Sequence, residues 1–137
     1  MARWMALDIG LKRIGVAITD PLCLFAQPFE VVAPDQLLDF LKQYQAKEGL
    51  SGLVIGLPLH LDGQMNDLEN TIQKWIKTIQ TVWPKLEIVR VDERFSSVMA
   101  GKAMHMAGAT RKQKQEKGNY DKVSAAILLQ TWLARSS

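Results

Sequence analysis

The sequence predicts an α/β domain on a sheet of mixed strand direction. Three observations carry that expectation. Two apolar, β-branched runs near the start flank a short turn, as in an antiparallel hairpin. Further along, compact apolar runs alternate with segments whose apolar residues recur at helical spacing. Glycine and proline separate nearly all of these runs.

The first strand is expected over Arg3 to Ile9, RWMALDI, which carries Asp8 near its end and is followed by Gly10. The second is IGVAIT, Ile14 to Thr19, across the turn Gly10-Leu11-Lys12-Arg13. Gly10 and Gly15 suit a close backbone approach or a turn with positive φ. Phe29 to Val32, after Pro28 and before Pro34, is a third short strand. Leu37, Leu38, Leu41 and Tyr44 then fall on one helical stripe, with Asp35 near the start and Gly49 just past the end. Leu53-Val54-Ile55 reads as a parallel strand buried on both faces, stopped by Gly56 and Pro58. Met65 to Val82 is an amphipathic helix through Leu68, Ile72, Trp75, Ile76 and Ile79. Leu86 to Val91 is the fifth strand and runs into Asp92-Glu93-Arg94. Ser96 suits the N-cap of a helix to about Ala107, closed by Gly108. Residues 109–119, ATRKQKQEKGN, are polar and basic and read as a loop. A last helix is expected from Asp121 to Arg135, with Val123, Ile127 and Leu128 inward and Trp132 near its end.

Bulk properties fit this outline. A chain of 137 residues, 47% hydrophobic, is expected to form one domain, 1–137, with a proper core. Its formal net charge of +3 is compatible with an anionic partner. The single cysteine, Cys23, excludes an intramolecular disulfide and suits a reducing cytoplasm, where it reads as a small apolar residue. No apolar run reaches the roughly 18 residues of a membrane span, and a signal peptide is not expected in the first residues, where Asp8 interrupts the apolar run. His105 and the tryptophans Trp4, Trp75, Trp83 and Trp132 read as packing residues, Trp132 being the one suited to base stacking.

The chemistry-bearing pattern is acidic. In open α/β sheets, ligands gather at the carboxyl ends of strands. Asp8 and the Asp92-Glu93 pair sit at such ends, and Asp121 is expected to open the last helix. Hard divalent cations bind through carboxylate oxygen, and a pair of them can clamp both oxygens of an in-line phosphoryl displacement. Each acid also has an ordinary use: Asp8 as a turn residue, Glu93 as an ion-pair partner, Asp121 as a cap. Lys12 and Arg13 on the hairpin tip, Arg94, and the loop cations Arg111, Lys112, Lys114 and Lys117, with Lys122 beyond, can meet phosphate or solvent equally well.

Four stretches, in order and well spaced, carry a resemblance. They are DIGLKRIGVA from Asp8, VIGLPLHLDG from Val54, VDERFSS from Val91 and YDKVSAA from Tyr120. Together they resemble the signature blocks of the YqgF/RuvX family, RNase H-like proteins described as nucleases of pre-16S rRNA and, earlier, as Holliday junction resolvases. The resemblance implies an RNase H-like, mixed five-stranded sheet with helices on both faces. It implies Asp8, Glu93 and Asp121 as an acidic triad for Mg2+ or Mn2+, in a two-metal arrangement, and hydrolysis of phosphodiester bonds. Structured RNA, the ribosome-associated pre-16S rRNA precursor, is the implied partner; branched DNA is the alternative and would suit a homodimer. Three positions depart from the pattern. Leu11 stands where threonine is usual, His60 where asparagine is usual in a substrate-facing loop, and Phe95 where leucine is usual. The fourth strand ends Ile55-Gly56-Leu57 without the acid that many RNase H-like nucleases place there, so Glu93 is expected to serve, with Asp92 and Asp62 as rivals. A non-catalytic nucleic-acid-binding module and an actin-like ATPase lobe are the remaining alternatives; the latter uses two such lobes.

Overall fold

The computed structural model describes residues 3–20, 22, 25–57, 63–92 and 117–136, with side chains described at all of these except 63–66, 92, 117–121, 135 and 136. Five strands, β1 (Arg3–Ile9), β2 (Ile14–Thr19), β3 (Ala26–Val32), β4 (Leu50–Leu57) and β5 (Glu87–Asp92), form one sheet in the order β3-β2-β1-β4-β5. β1 pairs antiparallel with β2 and parallel with β4; β2 and β3 are antiparallel, β4 and β5 parallel. The described helices are α1 (Leu37–Lys47), α2 (Gly63–Val82) and α3 (Lys117–Ser136).

Strand alternation divides the core in two. Met5, Leu7, Ile9, Leu53 and Ile55 face one side and pack with Leu37, Leu41 and Tyr44 of α1 and Ile72 and Ile79 of α2. Ala6, Ala17, Val54 and Val91 face the other and pack with Ala125, Ala126, Leu128 and Leu129 of α3. Helices thus cover both faces. β4 is buried from Gly52 to Gly56, as its apolar run predicts.

Several boundaries differ from the sequence-based expectation. β3 begins at Ala26 and takes in Pro28, paired with Ala17. An edge strand tolerates proline because its outward side needs no N–H donor. The register shifts beside it: Val16 pairs with Glu30 and Ala17 with Pro28, so Phe29 is the extra residue of a bulge. Phe29 turns this to use by meeting Phe40 and Tyr44 of α1 at ring-centroid distances of 6.1 and 5.9 Å. Asp35 falls in a 3-10 turn, Pro34–Gln36, ahead of α1. Of the two uses expected for the hairpin glycines, Gly10 takes the close approach, while the positive φ among the described glycines is at Gly49, at 80°, where the Gly49 N–H returns to the Tyr44 carbonyl and ends α1. The last helix starts at Lys117, not Asp121, so the tail of the basic stretch 109–119 is helical backbone. The expected helix from Ser96 to Ala107, the remainder of that loop, and Cys23 lie outside the described residues.

Trp4 pairs with Gly52 across β1 and β4, and a Cβ at Gly52 would collide with the Trp4 ring. Trp132 lies against the same indole, with centroids 4.0 Å apart and planes at 31°. Trp132 is therefore occupied by packing rather than held out for a base.

Tyr44 offers a stability test. Its hydroxyl is buried without a hydrogen-bond partner among the described residues. Burial pushes its pKa above 10.0, although the Arg3 guanidinium pulls the other way. A raised folded-state pKa means stability present below pH 10 and lost as pH rises through the folded value. Tyr44→Phe should therefore match or exceed the wild type by up to about 1 kcal/mol at pH 7. It should also lack this part of the alkaline loss, as read by urea unfolding at pH 8 and pH 11.

Candidate active site

Asp8 is the penultimate residue of β1 and is half-buried. It shares a face with Ala6, the face covered by α3. Its partner across the hairpin is Gly15, which has no side chain to crowd the carboxylate. Among the described residues no cation or hydrogen-bond donor meets it. A carboxylate in that setting can offer its oxygens to a hard, oxygen-seeking cation.

One step past Asp8 the chain turns. The Gly10 N–H donates to the Arg13 carbonyl at 3.0 Å, closing the hairpin with Leu11 and Lys12 at its tip. A Cβ at Gly10 would come within 2.9 Å of that carbonyl, so glycine serves the close approach here. Leu11 and Lys12 are exposed and Arg13 is half-buried.

The neighbouring strand ends are braced by a residue that sequence reasoning passed over. Arg90, mid-β5, grips Glu69 of α2 with two bonds, Nη2 to Oε1 at 2.7 Å and Nη1 to Oε2 at 3.1 Å. It also donates to the carbonyls of Ile55 and Gly56 at 3.3 and 3.0 Å. The end of β4 is thereby tied to α2 on the face opposite Asp8. A cation inside the apolar run Glu87–Asp92 was the available signal. Arg90→Met should cost about 1–3 kcal/mol, since it leaves a charged acceptor and strand-end carbonyls without their donor; chemical denaturation reads it.

Helix α3 brings the chain's last acid toward the same end of the sheet. Trp132 lies on Trp4, and Gln130 Oε1 accepts the Ala26 N–H at 3.1 Å, so the C-terminal part of α3 sits at the start of β1. Val91, in register with Gly56 just past the Leu7–Ile55 pair, packs in the α3 cluster. Asp121 is the fifth residue of α3 rather than its N-cap, so capping does not explain it. Glu93, His60, Arg94, Arg111, Lys112 and Lys114 lie outside the described residues, as does Asp62. The structure thus brings together Asp8, Gly15 and the Lys12–Arg13 tip. Among the described residues there is no group of three metal-ligating side chains, and no helix is long and apolar enough to cross a membrane.

Comparison with known proteins adds to this geometry. The chain is 37% identical to a Flavobacterium johnsoniae protein over 98% of its own length and 97% of that protein's. Identity is 38% with a Bacteroides thetaiotaomicron protein, covering 97% and 96%, and 39% with one from Christiangramia forsetii, covering 97% and 98%. All three carry the name "Putative pre-16S rRNA nuclease". Among solved structures, Thermus thermophilus RuvC in complex with a Holliday junction substrate superposes with a TM-score of 0.60 at 11% identity, covering 100% of this chain and 97% of that one. RuvC by itself gives 0.54 at 10% identity, covering 98% and 96%. These superpositions show an RNase H-like fold. The family described as "RuvX: Holliday junction resolvase" matches residues 2–135, and the chain belongs to that family.

Proposed function

We propose that this chain is a divalent-metal-dependent nuclease that hydrolyses phosphodiester bonds, and that it matures the 5′ end of pre-16S rRNA. The observation that carries the reading is the setting of Asp8: half-buried, unpartnered among the described residues, beside Gly15, at the carboxyl end of the central strand. The names of the full-length relatives supply the substrate.

Asp8, Glu93 and Asp121 would hold Mg2+ or Mn2+, as one ion or a pair. When bound, such ions supply Lewis acidity to the phosphoryl group and to the attacking water. Two observations support the other two ligands. Eleven residues separate Asp121 from Trp132, roughly 16 Å of helix. Four separate Trp4 from Asp8, roughly 13 Å of strand. With Trp132 anchored on Trp4, these lengths suit Asp121 at Asp8's level, and position 121 shares a stripe with Ala125, Leu128 and Trp132. In β5, Val89 and Val91 belong to the α3 side. That is the face Asp8 shares, and Glu93 is proposed as the second ligand, with Asp92 as its rival.

Lys12 and Arg13 neutralise phosphate beside the scissile bond, and His60, Arg94, Arg111, Lys112 and Lys114 extend that contact. Action on the rRNA precursor places the work in the cytoplasm. The family's description supports one second reading, resolution of branched DNA, which asks for a symmetric dimer. Incubation of the 5′ precursor and of a four-way junction, each with Mg2+, Mn2+ or EDTA, separates the two. Trimming of the precursor to the mature end, only with metal, is the expected result. Symmetric nicks on the junction with intact precursor would favour the resolvase. Binding without any product would leave a non-catalytic module.

A further inference from the structure

The hairpin tip presents an apolar side chain where turn chemistry favours polar ones. Leu11 is 66% exposed. It is followed by Lys12, also exposed, and by Arg13, and it projects beyond the Asp8–Gly15 and Ile9–Ile14 pairs. Three residues of strand-like rise put the tip roughly 10 Å past Asp8, within one or two nucleotides of a phosphate held there.

A paired duplex offers such a tip mostly phosphate and sugar, which suit Lys12 and Arg13 but give a leucine little. Base faces accept an apolar side chain, and they open only where a nucleotide is unstacked; leucine is among the residues that wedge into such steps. We infer that Leu11 is a specificity-determining wedge. It packs against an unstacked base next to the scissile phosphate and so directs the site to phosphates beside an unpaired nucleotide. Lys12 holds the neighbouring phosphate and supplies affinity without selectivity. The inference rests on the nuclease reading of the Asp8 site, and its test is built to fail separately.

The full chain is titrated in EDTA, where no cutting is expected, against two RNA duplexes of about 20 base pairs. One is fully paired and one carries a single bulged 2-aminopurine. The native chain should bind the bulged duplex about tenfold tighter, the size of burying one leucine side chain against a base, with a change in 2-aminopurine fluorescence. Leu11→Thr should bring the ratio of the two affinities close to one, with an unchanged melting temperature. Lys12→Ala should weaken both duplexes alike and flatten the salt dependence. An unchanged ratio in Leu11→Thr overturns the wedge, as does failure of the native chain to distinguish the duplexes. If the ratio behaves as expected but no metal yields product from either RNA, the wedge stands and the nuclease reading falls.

Discussion

Asp8→Asn should lower metal-dependent cleavage by more than about a hundredfold, the upper range seen when only a group supporting a metal ligand is lost. The fold should survive. Among the described residues Asp8 makes no ion pair or hydrogen bond, so the near-isosteric amide breaks nothing there. Melting temperature in EDTA should stay within the equivalent of about 1 kcal/mol of the wild type. Metal separates the two chains further. Mn2+ at about a hundred times its Kd should stabilise the native chain by about 2.7 kcal/mol, and chelation should remove that gain. In Asp8→Asn the gain should shrink or vanish. Full activity in the variant, or equal stabilisation by Mn2+, would remove Asp8 from the site.

The second large effect lies at the opposite end of β1. Gly52→Ala places a methyl against the Trp4 indole, which Trp132 already holds from α3. The ring must shift and α3 must follow, and overpacking of this kind costs about 1–3 kcal/mol. Because α3 also carries Asp121, activity should fall further than the loss of folded protein explains. Trp4→Leu in the Gly52→Ala background should recover part of the stability by making room for the methyl. Additive losses in that double variant would mean that the glycine serves something other than the indole.

The hairpin, the buried fourth strand and the stop at Gly49 were legible because each depends on local pattern or local backbone chemistry. So was Asp8, an acid interrupting an apolar strand. The start of β3 was not, because Pro28 reads as a breaker unless the strand is known to be an edge. Nor was the start of α3: Lys117-Gly118-Asn119 has no apolar stripe and a poor helix former, so nothing local separates it from the loop. The Gly52–Trp4–Trp132 stack and the Arg90–Glu69 brace join residues far apart in sequence, and periodicity within a segment is silent on such contacts. The candidate acids were read from their places at strand ends and ahead of the last helix, and the ordered blocks then narrowed them to Asp8, Glu93 and Asp121. The helical rather than capping position of Asp121, and the open side of Asp8 at Gly15, needed the register.

The Trp4–Trp132 contact also has a consequence in time. Its partners are separated by nearly the whole chain, and so are Asp8 and Asp121. Synthesis proceeds from the N-terminus, so the β1–β2–β3 meander can form while the rest is still being translated. The site cannot form then, because α3 is made well after those three strands. A nascent chain thus carries Asp8 without the helix that covers its face of the sheet, and any cutting that needs α3 must wait for that helix to be made.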